Sequence, residues 1–204
     1  MLKKLFARQP APAHKEIVVV SGLPRSGTSM LMKMLEQGGL DIVTDALRSA
    51  DNDNPNGYYE FETVKKLPEG QSAWLDGAQG KVVKVISALL EYLPAQYHYK
   101  IIFMERAIGE VLASQKKMLS NRNEESPVED AEMQEQFQKH VLASKYWLAR
   151  QPNLAVLYVD YNKMLAAPDK YCQSVVDFVD MDLNLDKMRA VPNEALYRNR
   201  APRP

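Results

Sequence analysis

The sequence predicts an α/β fold of three layers, in which a mainly parallel central sheet is flanked by helices on both faces. Short β-branched runs alternate with longer segments of helical periodicity from residue 17 onward. Strands that are separated by helical segments need crossover connections, which are right-handed and pair the strands in parallel. At 204 residues the chain is long enough for one continuous core. We therefore expect a single domain over residues 16–204, preceded by a flexible N-terminal arm over residues 1–15.

The first predicted unit consists of a strand, a glycine-containing turn and a helix. Residues 17–21 form a β-branched run, and the turn follows over residues 22–27. Gly38 and Gly39 are typical of a helix end. Before them, four apolar residues recur at helical spacing: Met30, Leu31, Met34 and Leu35.

Four further strands are predicted, with helices between and after them. Apolar runs place the strands at residues 40–43, 81–85, 99–104 and 155–160. Helical patterns end before Pro94, near residue 119, near residue 150 and near residue 179. Ligands of such sheets bind at the carboxyl ends of the strands, where the turn over residues 22–27, Lys84 and Arg106 all fall.

The charge and the cysteine content of the chain limit which partners and which cellular location we expect. Lys plus Arg and Asp plus Glu number 26 each, so the chain has no overall positive field to hold a nucleic acid, and we expect no nucleic-acid partner. Cys172 has no second cysteine to pair with, which favours a reducing, cytoplasmic setting. No apolar run approaches the ~20 residues of a membrane span, so we expect no membrane partner.

The turn after the first strand has the frame of a phosphate-binding loop. Residues 22–29 match the pattern G-x-x-x-x-G-K-[ST], except that Thr28 stands in place of the lysine. Backbone amides and the positive end of the helix dipole still favour an anion there. Lys33, one turn further along the helix, is expected to point away, so ordinary ATP chemistry is disfavoured. The pattern predicts a P-loop NTPase-like fold, with an atypical P-loop nucleotide kinase or NTPase left open as one function.

The same loop resembles that of a known family. Pro24, Arg25, Ser26, Gly27, Thr28 and Ser29 are similar to the P-[KR]-S-G-T-[ST] loop of sulfotransferases. The arginine form is similar to that of tyrosylprotein and heparan sulfotransferases. The resemblance implies that these six residues bind the 5′-phosphosulfate of 3′-phosphoadenosine 5′-phosphosulfate (PAPS), whose product is adenosine 3′,5′-bisphosphate (PAP).

A second segment extends the resemblance. Arg106 follows the strand at residues 99–104, and Ser114 comes eight residues later. In sulfotransferases an arginine and a serine at this spacing hold the 3′-phosphate, and an arginine fork with a neutral hydroxyl suits a phosphate. Arg198 and Arg200 are interpreted either as a clamp on the same phosphate or as part of a solvated tail.

The resemblance also indicates catalytic residues. Arg25 and Lys84 are candidates for stabilising charge on the leaving phosphate oxygen. Lys84 lies in a segment similar to the K-x-H segment of cytosolic sulfotransferases, but Ile86 stands where those enzymes have their histidine base. The string from Asn54 to Glu60 is similar to N-P-x-G-[FY]-x-E in bacterial sulfotransferases, so Glu60 leads as the general base, with Glu62 and Asp45 as alternatives.

The expected reaction is transfer of a sulfuryl group to a hydroxyl or amine of a small-molecule or peptide acceptor that the sequence does not identify. A catalytically silent nucleotide-binding protein of the same fold is a further alternative. A homodimer is possible. The Asn- and Asp-rich residues 51–57 are better explained by turns than by a metal, so we predict no metal site.

Overall fold

Five parallel strands form one sheet in the computed structural model, which describes residues 15–192 apart from residues 46, 49, 52, 53, 125 and 127. The strands are β1 (Ile17–Gly22), β2 (Ile42–Val43), β3 (Val82–Lys84), β4 (Tyr99–Glu105) and β5 (Leu154–Asp160). Their order in the sheet is β2-β3-β1-β4-β5, and every neighbouring pair is parallel. The predicted α/β fold with a parallel sheet is confirmed.

Helices connect the strands. They are α1 (Thr28–Gly38), α2 (Ile108–Asn121), α3 (Asp130–Leu148), α4 (Tyr161–Ala166), α5 (Pro168–Val179) and α6 (Leu185–Arg189). Three 3₁₀-helices span Glu62–Glu69, Ala73–Ala78 and Ser87–Tyr92. The sequence patterns did not predict α4, α6 or the first two 3₁₀-helices. The helical segment predicted before Pro94 is the short 3₁₀-helix Ser87–Tyr92.

β1 lies in the middle of the sheet and is covered on both faces. Side chains of Ile17 to Val20 are fully buried, which explains why this strand is apolar at every position and does not alternate. One buried cluster packs α1, α5 and α6 against one face, and a second packs the 3₁₀-helices and the end of α3 against the other. The molecule therefore has the three layers that the sequence predicted.

The register of the strands brings three predicted site segments to one edge of the sheet. Val20 pairs with Lys84 on one side of β1, and Gly22 pairs with Met104 on the other. The carboxyl ends of β3, β1 and β4 are therefore neighbours, and the segments that follow these strands meet there.

Within the part of the chain that the structure describes, no helix is both long and apolar enough to cross a membrane. Except for Lys15, the predicted arm over residues 1–15 lies outside the described residues, so the proposed domain boundary stays a prediction.

Candidate functional site

The loop between β1 and α1 presents backbone amides to the sheet edge. Gly27 is the N-cap residue of α1 and has no side chain to accept hydrogen bonds from the first helical amides. Its φ is +102°, and a Cβ added there would lie 2.3 Å from the ring of Tyr161. Only glycine fits this position, because both the backbone and the packed ring exclude a side chain. The start of α1 is thus an open anion site of the kind that binds phosphate.

The two segments that the sequence analysis placed in one site lie together. Nε of Arg25 donates a hydrogen bond to Oγ of Ser114 across 3.0 Å, and these residues are 89 positions apart in the chain. Nη1 of Arg106 donates to the backbone oxygen of Arg25 across 3.2 Å. The phosphate loop and the helix after β4 therefore form one wall, and their cationic groups converge.

A buried ion pair with Glu110 orients the Arg106 side chain. Its Nε lies 3.0 Å from Oε2 of Glu110, and the two side chains are only 7% and 2% exposed. Oε1 of Glu110 accepts a hydrogen bond from Nδ2 of Asn162 at 3.2 Å, and the Arg106 guanidinium lies 4.6 Å from the centre of the Tyr161 ring. These contacts fix the plane of the guanidinium and keep Glu110 from being buried as a lone charge.

Lys84 reaches the phosphate loop from the end of β3. Its Nζ donates to Oγ of Ser29 across 3.3 Å and to the backbone oxygen of Tyr58. Burial lowers the pKa of Lys84 from 10.5 to about 8; the charge of Glu60 opposes this shift, and those of Arg48 and Arg25 add to it. Lys84 is therefore an amine that loses its proton at a lower pH than an ordinary lysine does.

Glu60 faces the same space from the opposite side. Its carboxylate pairs with Arg48 at 3.2 Å. Its backbone oxygen accepts hydrogen bonds from Oγ1 of Thr44 at 2.9 Å and from the amide of Asp45 at 3.3 Å. The backbone of Glu60 is thus fixed at two points, while its carboxylate reaches the cleft.

The two alternative bases lie elsewhere. The Asp45 carboxylate accepts from the amides of Glu62 at 2.6 Å and Leu47 at 3.1 Å, and the bond from Glu62 is the main cause of its lowered pKa. Glu62 pairs with Lys65 at 2.7 Å. Neither carboxylate lines the cleft, so Glu60 is the candidate base that the geometry favours.

These residues surround a cleft of about 700 Å³. Among the described residues, Glu60 is the one acidic side chain that lines it. Seven basic side chains line the same cleft: Arg25, Arg48, Lys65, Lys84, Arg106, Lys117 and Arg122. A chain of zero net charge therefore concentrates positive charge in one concave site, which suits a ligand with several negative groups.

Most of the residues predicted for the site that the structure describes are found around this cleft, and Ser26 is an exception. Pro24, Arg25, Gly27, Thr28 and Ser29 line it, as do Glu60, Lys84, Arg106 and Ser114. Ser26 instead lines a smaller cavity of about 270 Å³ beside Phe103, and its buried Oγ has no hydrogen-bond partner among the described residues. Arg198 and Arg200 lie outside the described residues.

Other cleft residues were not predicted from the sequence. Arg48 and Tyr161 have no motif around them that points to a ligand. Lys117 and Arg122 follow Ser114 at intervals of three and eight residues, so the helical period of α2 could have placed them on the same face. Lys33 pairs with Glu36 at 2.9 Å and does not line the cleft, as expected.

Comparisons with known proteins agree with this architecture. No protein-family model matches the sequence, and no curated protein sequence matches it. The structure is similar to mouse sulfotransferase SULT7A1 complexed with PAP, with a TM-score of 0.56 and 19% identity over 94% of this chain and 68% of that one. It is also similar to the sulfotransferase domain of the Synechococcus PCC 7002 olefin synthase, with a TM-score of 0.50 and 16% identity over 95% of this chain and 87% of that one.

A weaker likeness is to an unliganded sugar kinase from Janibacter sp. HTCC2649. Its TM-score is 0.44 and its identity 16%, over 88% of this chain and 99% of that one. The likeness to the two sulfotransferase structures, at 19% and 16% identity, establishes a shared fold. The chain has the α/β fold of sulfotransferases.

Proposed function

We propose that this chain is a sulfotransferase that moves a sulfuryl group from PAPS to a hydroxyl or amine acceptor. The observation that carries the proposal is the junction of Arg25 with Ser114 and Arg106, which joins the loop and helix segments into one cationic wall. Two phosphate-binding elements on one wall suit an adenosine that carries phosphate at both its 5′ and 3′ positions. The fold shared with SULT7A1, which was solved with PAP, supports the same assignment.

The residues of the cleft fit such a nucleotide. The amides at the start of α1, together with Thr28 and Ser29, are placed to hold the 5′ end. Arg106 and Ser114 are placed to hold the 3′-phosphate, with Arg25 between the two ends. Bound PAPS supplies an activated sulfuryl group, whose bond to the 5′-phosphate breaks as the acceptor oxygen or nitrogen bonds to sulfur.

Each candidate catalytic residue then has one task. Arg25 and Lys84 stabilise the negative charge that grows on the leaving phosphate oxygen. Glu60 accepts the proton of the acceptor hydroxyl or amine, and its backbone is fixed by Thr44 and Asp45 for that purpose. Arg48 positions the Glu60 carboxylate through their ion pair.

The nucleotide assignment is tested by thermal unfolding with PAP, adenosine 5′-monophosphate or ATP with magnesium. A ligand at a hundred times its dissociation constant stabilises the folded state by about 2.7 kcal/mol. We expect PAP to bind more tightly than the other two nucleotides, so it should raise Tm at a lower concentration than they do. Ser114→Ala should remove much of the preference for PAP over adenosine 5′-monophosphate, because it deletes one predicted partner of the 3′-phosphate. Preferential stabilisation by ATP with magnesium would instead favour the kinase alternative.

Transfer is tested by incubating the protein with PAPS and a broad set of hydroxyl and amine compounds. Formation of PAP together with a sulfated product supports the proposal. Binding of PAP without transfer to any compound would favour the catalytically silent alternative.

We also propose a cytoplasmic location, in keeping with the free, buried thiol of Cys172. The acceptor is proposed to be a small molecule or a peptide, with neither nucleic acid nor membrane as a partner. A homodimer is compatible with the fold.

A further inference from the structure

The cleft extends beyond the residues assigned to the nucleotide, and this part of its wall is apolar. The 3₁₀-helix Ser87–Tyr92 packs against both α3 and the 3₁₀-helix Glu62–Glu69, and α2 packs against α3. Six half-buried or exposed apolar side chains from these elements and their flanks face the space: Phe61, Ile86, Leu89, Met118, Met133 and Phe137. Apolar walls of this kind mark a binding site for the apolar part of a ligand.

Two cations stand at the rim of this apolar region. Ser114, Lys117 and Met118 lie at helical intervals on one face of α2, and Arg122 is the residue that caps its C-terminal end; all four line the cleft. Arg122 is eight residues beyond Ser114, which corresponds to about 12 Å along the helix axis. The Tyr58 hydroxyl, which interacts with the Arg122 side chain, donates a hydrogen bond to the Asp51 carboxylate at 2.7 Å. Lys117 and Arg122 are therefore displaced from the groups that would hold the 3′-phosphate.

These two residues differ from several other cleft cations in their pairing with acids. Arg48 pairs with Glu60, and Lys65 pairs with Glu62. In the described part of the chain, no carboxylate forms an ion pair with Lys117 or Arg122. Lys116, the neighbour of Lys117, does not line the cleft and pairs with Asp130 at 3.2 Å. Lys117 and Arg122 therefore place positive charge at the rim of the cleft, beside the apolar wall.

We propose that the acceptor is an amphipathic anion. Besides the hydroxyl or amine that receives the sulfuryl group, it carries an apolar body that packs on the wall around Ile86 and Phe137. It also carries a carboxylate or similar anionic group that binds Lys117 and Arg122. This inference rests on the proposed function and specifies the substrate class of the same site.

The test uses calorimetric titration of the PAP-saturated protein with two matched probe series. One series comprises ω-hydroxydecanoate, its methyl ester and ω-aminodecanol, and the other comprises p-hydroxyphenylpropionate and its methyl ester. At least one carboxylate should bind about tenfold more tightly than its ester, since a single charge-assisted contact is worth this much. The double variant Lys117→Gln/Arg122→Gln should lose that preference, and Lys116→Gln should keep it.

Three results would overturn the inference. One is equal affinity for each carboxylate and its ester, and another is the absence of binding by both carboxylates. The third is a loss of PAP affinity in the double variant as large as its loss of probe affinity, because the two cations would then serve the nucleotide. Failure of the wild-type protein to bind PAP, before any probe is added, would instead contradict the proposed function.

Discussion

The amine of Lys84 lies within hydrogen-bonding distance of Ser29 in the phosphate loop, and burial brings its pKa to about 8. If the charged amine stabilises the leaving phosphate, kcat/KM should fall as the pH rises through about 8. The arginine of Lys84→Arg does not lose its proton in this range, so that variant should lack the alkaline decline. The measurement is a pH–rate profile of both proteins, with Lys84→Met as the uncharged control.

The same shift has a consequence for stability with a definite sign. The folded state disfavours the charged amine, so the unfolded chain binds more protons between pH 8 and 10.5. The contribution of Lys84 to the free energy of unfolding should therefore increase with pH across that interval. Lys84→Met should flatten this part of the stability curve, and an unchanged slope would mean that the amine is well solvated.

Arg106 combines a structural role with its proposed ligand role, and the two can be separated. Arg106→Ala removes the cation that forms the ion pair with buried Glu110, which should cost about 3–5 kcal/mol of stability. The paired variant Arg106→Met/Glu110→Gln removes both charges and should recover most of that stability. PAP affinity should stay low in the paired variant. Denaturant unfolding and PAP titration of the three proteins check this, and recovery of both quantities would show that Arg106 acts only as the partner of Glu110.

At the scale of elements, the two glycines that flank α1 provide a matched comparison. Gly27 and Gly39 have nearly equal φ values of +102° and +101°, but only at Gly27 would a Cβ meet another group, the Tyr161 ring at 2.3 Å. Gly39→Ala should cost about 1–2 kcal/mol from backbone strain alone. Gly27→Ala should cost about 1–3 kcal/mol more than Gly39→Ala, because its Cβ also clashes with the Tyr161 ring. Equal losses in urea unfolding would show that the ring moves aside easily.

The elements that the sequence predicted are those with a local signal. β1 was recognised because it is an almost continuous apolar run, and β4 because it is apolar apart from Lys100 and Glu105. α1 was recognised because glycines bound it and its apolar residues have a helical period. α4 and α6 are six and five residues long, too short for a period to emerge, and each is capped by a side chain, Asp160 or Asn184. The strand order could not be read from local patterns, because it depends on long-range packing.

In the candidate site, too, the residues that the sequence predicted are those with a local signal. The loop over residues 24–29 and the pair Arg106 and Ser114 are recognisable from spacing within single segments. Arg48 and Tyr161 act through neighbours distant in sequence, Glu60 and Gly27, so nothing beside them in the chain identifies them. Ser26 closes a turn by donating its amide to the backbone oxygen of Leu23 at 3.2 Å and lines a different cavity, which spacing in the sequence could not show.

At the scale of the whole molecule, the net charge is zero, but the charged residues are unevenly distributed. Of the residues that the structure describes, seven cations and one carboxylate line the cleft, so most of the acidic residues that balance the chain's charge lie away from it. Some of those acids pair with bases outside the cleft, as Asp130 does with Lys116. The attraction for an anionic nucleotide is therefore local, and net charge alone could not have predicted it.

This distribution predicts opposite effects of salt on binding and on stability. Between about 0.02 M and about 0.3 M sodium chloride, screening should slow PAP association by about tenfold, because the steering field decays within a shorter Debye length. The same screening should raise the Tm of the ligand-free protein, since it relieves repulsion among the cleft cations. Stopped-flow binding and calorimetric unfolding measure the two effects, in buffers without sulfate or phosphate, which would compete for the loop amides. The ester probes carry no charge, so their affinity for the PAP-saturated protein serves as the control and should hardly change. An association rate that is insensitive to salt would contradict the view that the cleft acts as a local positive field.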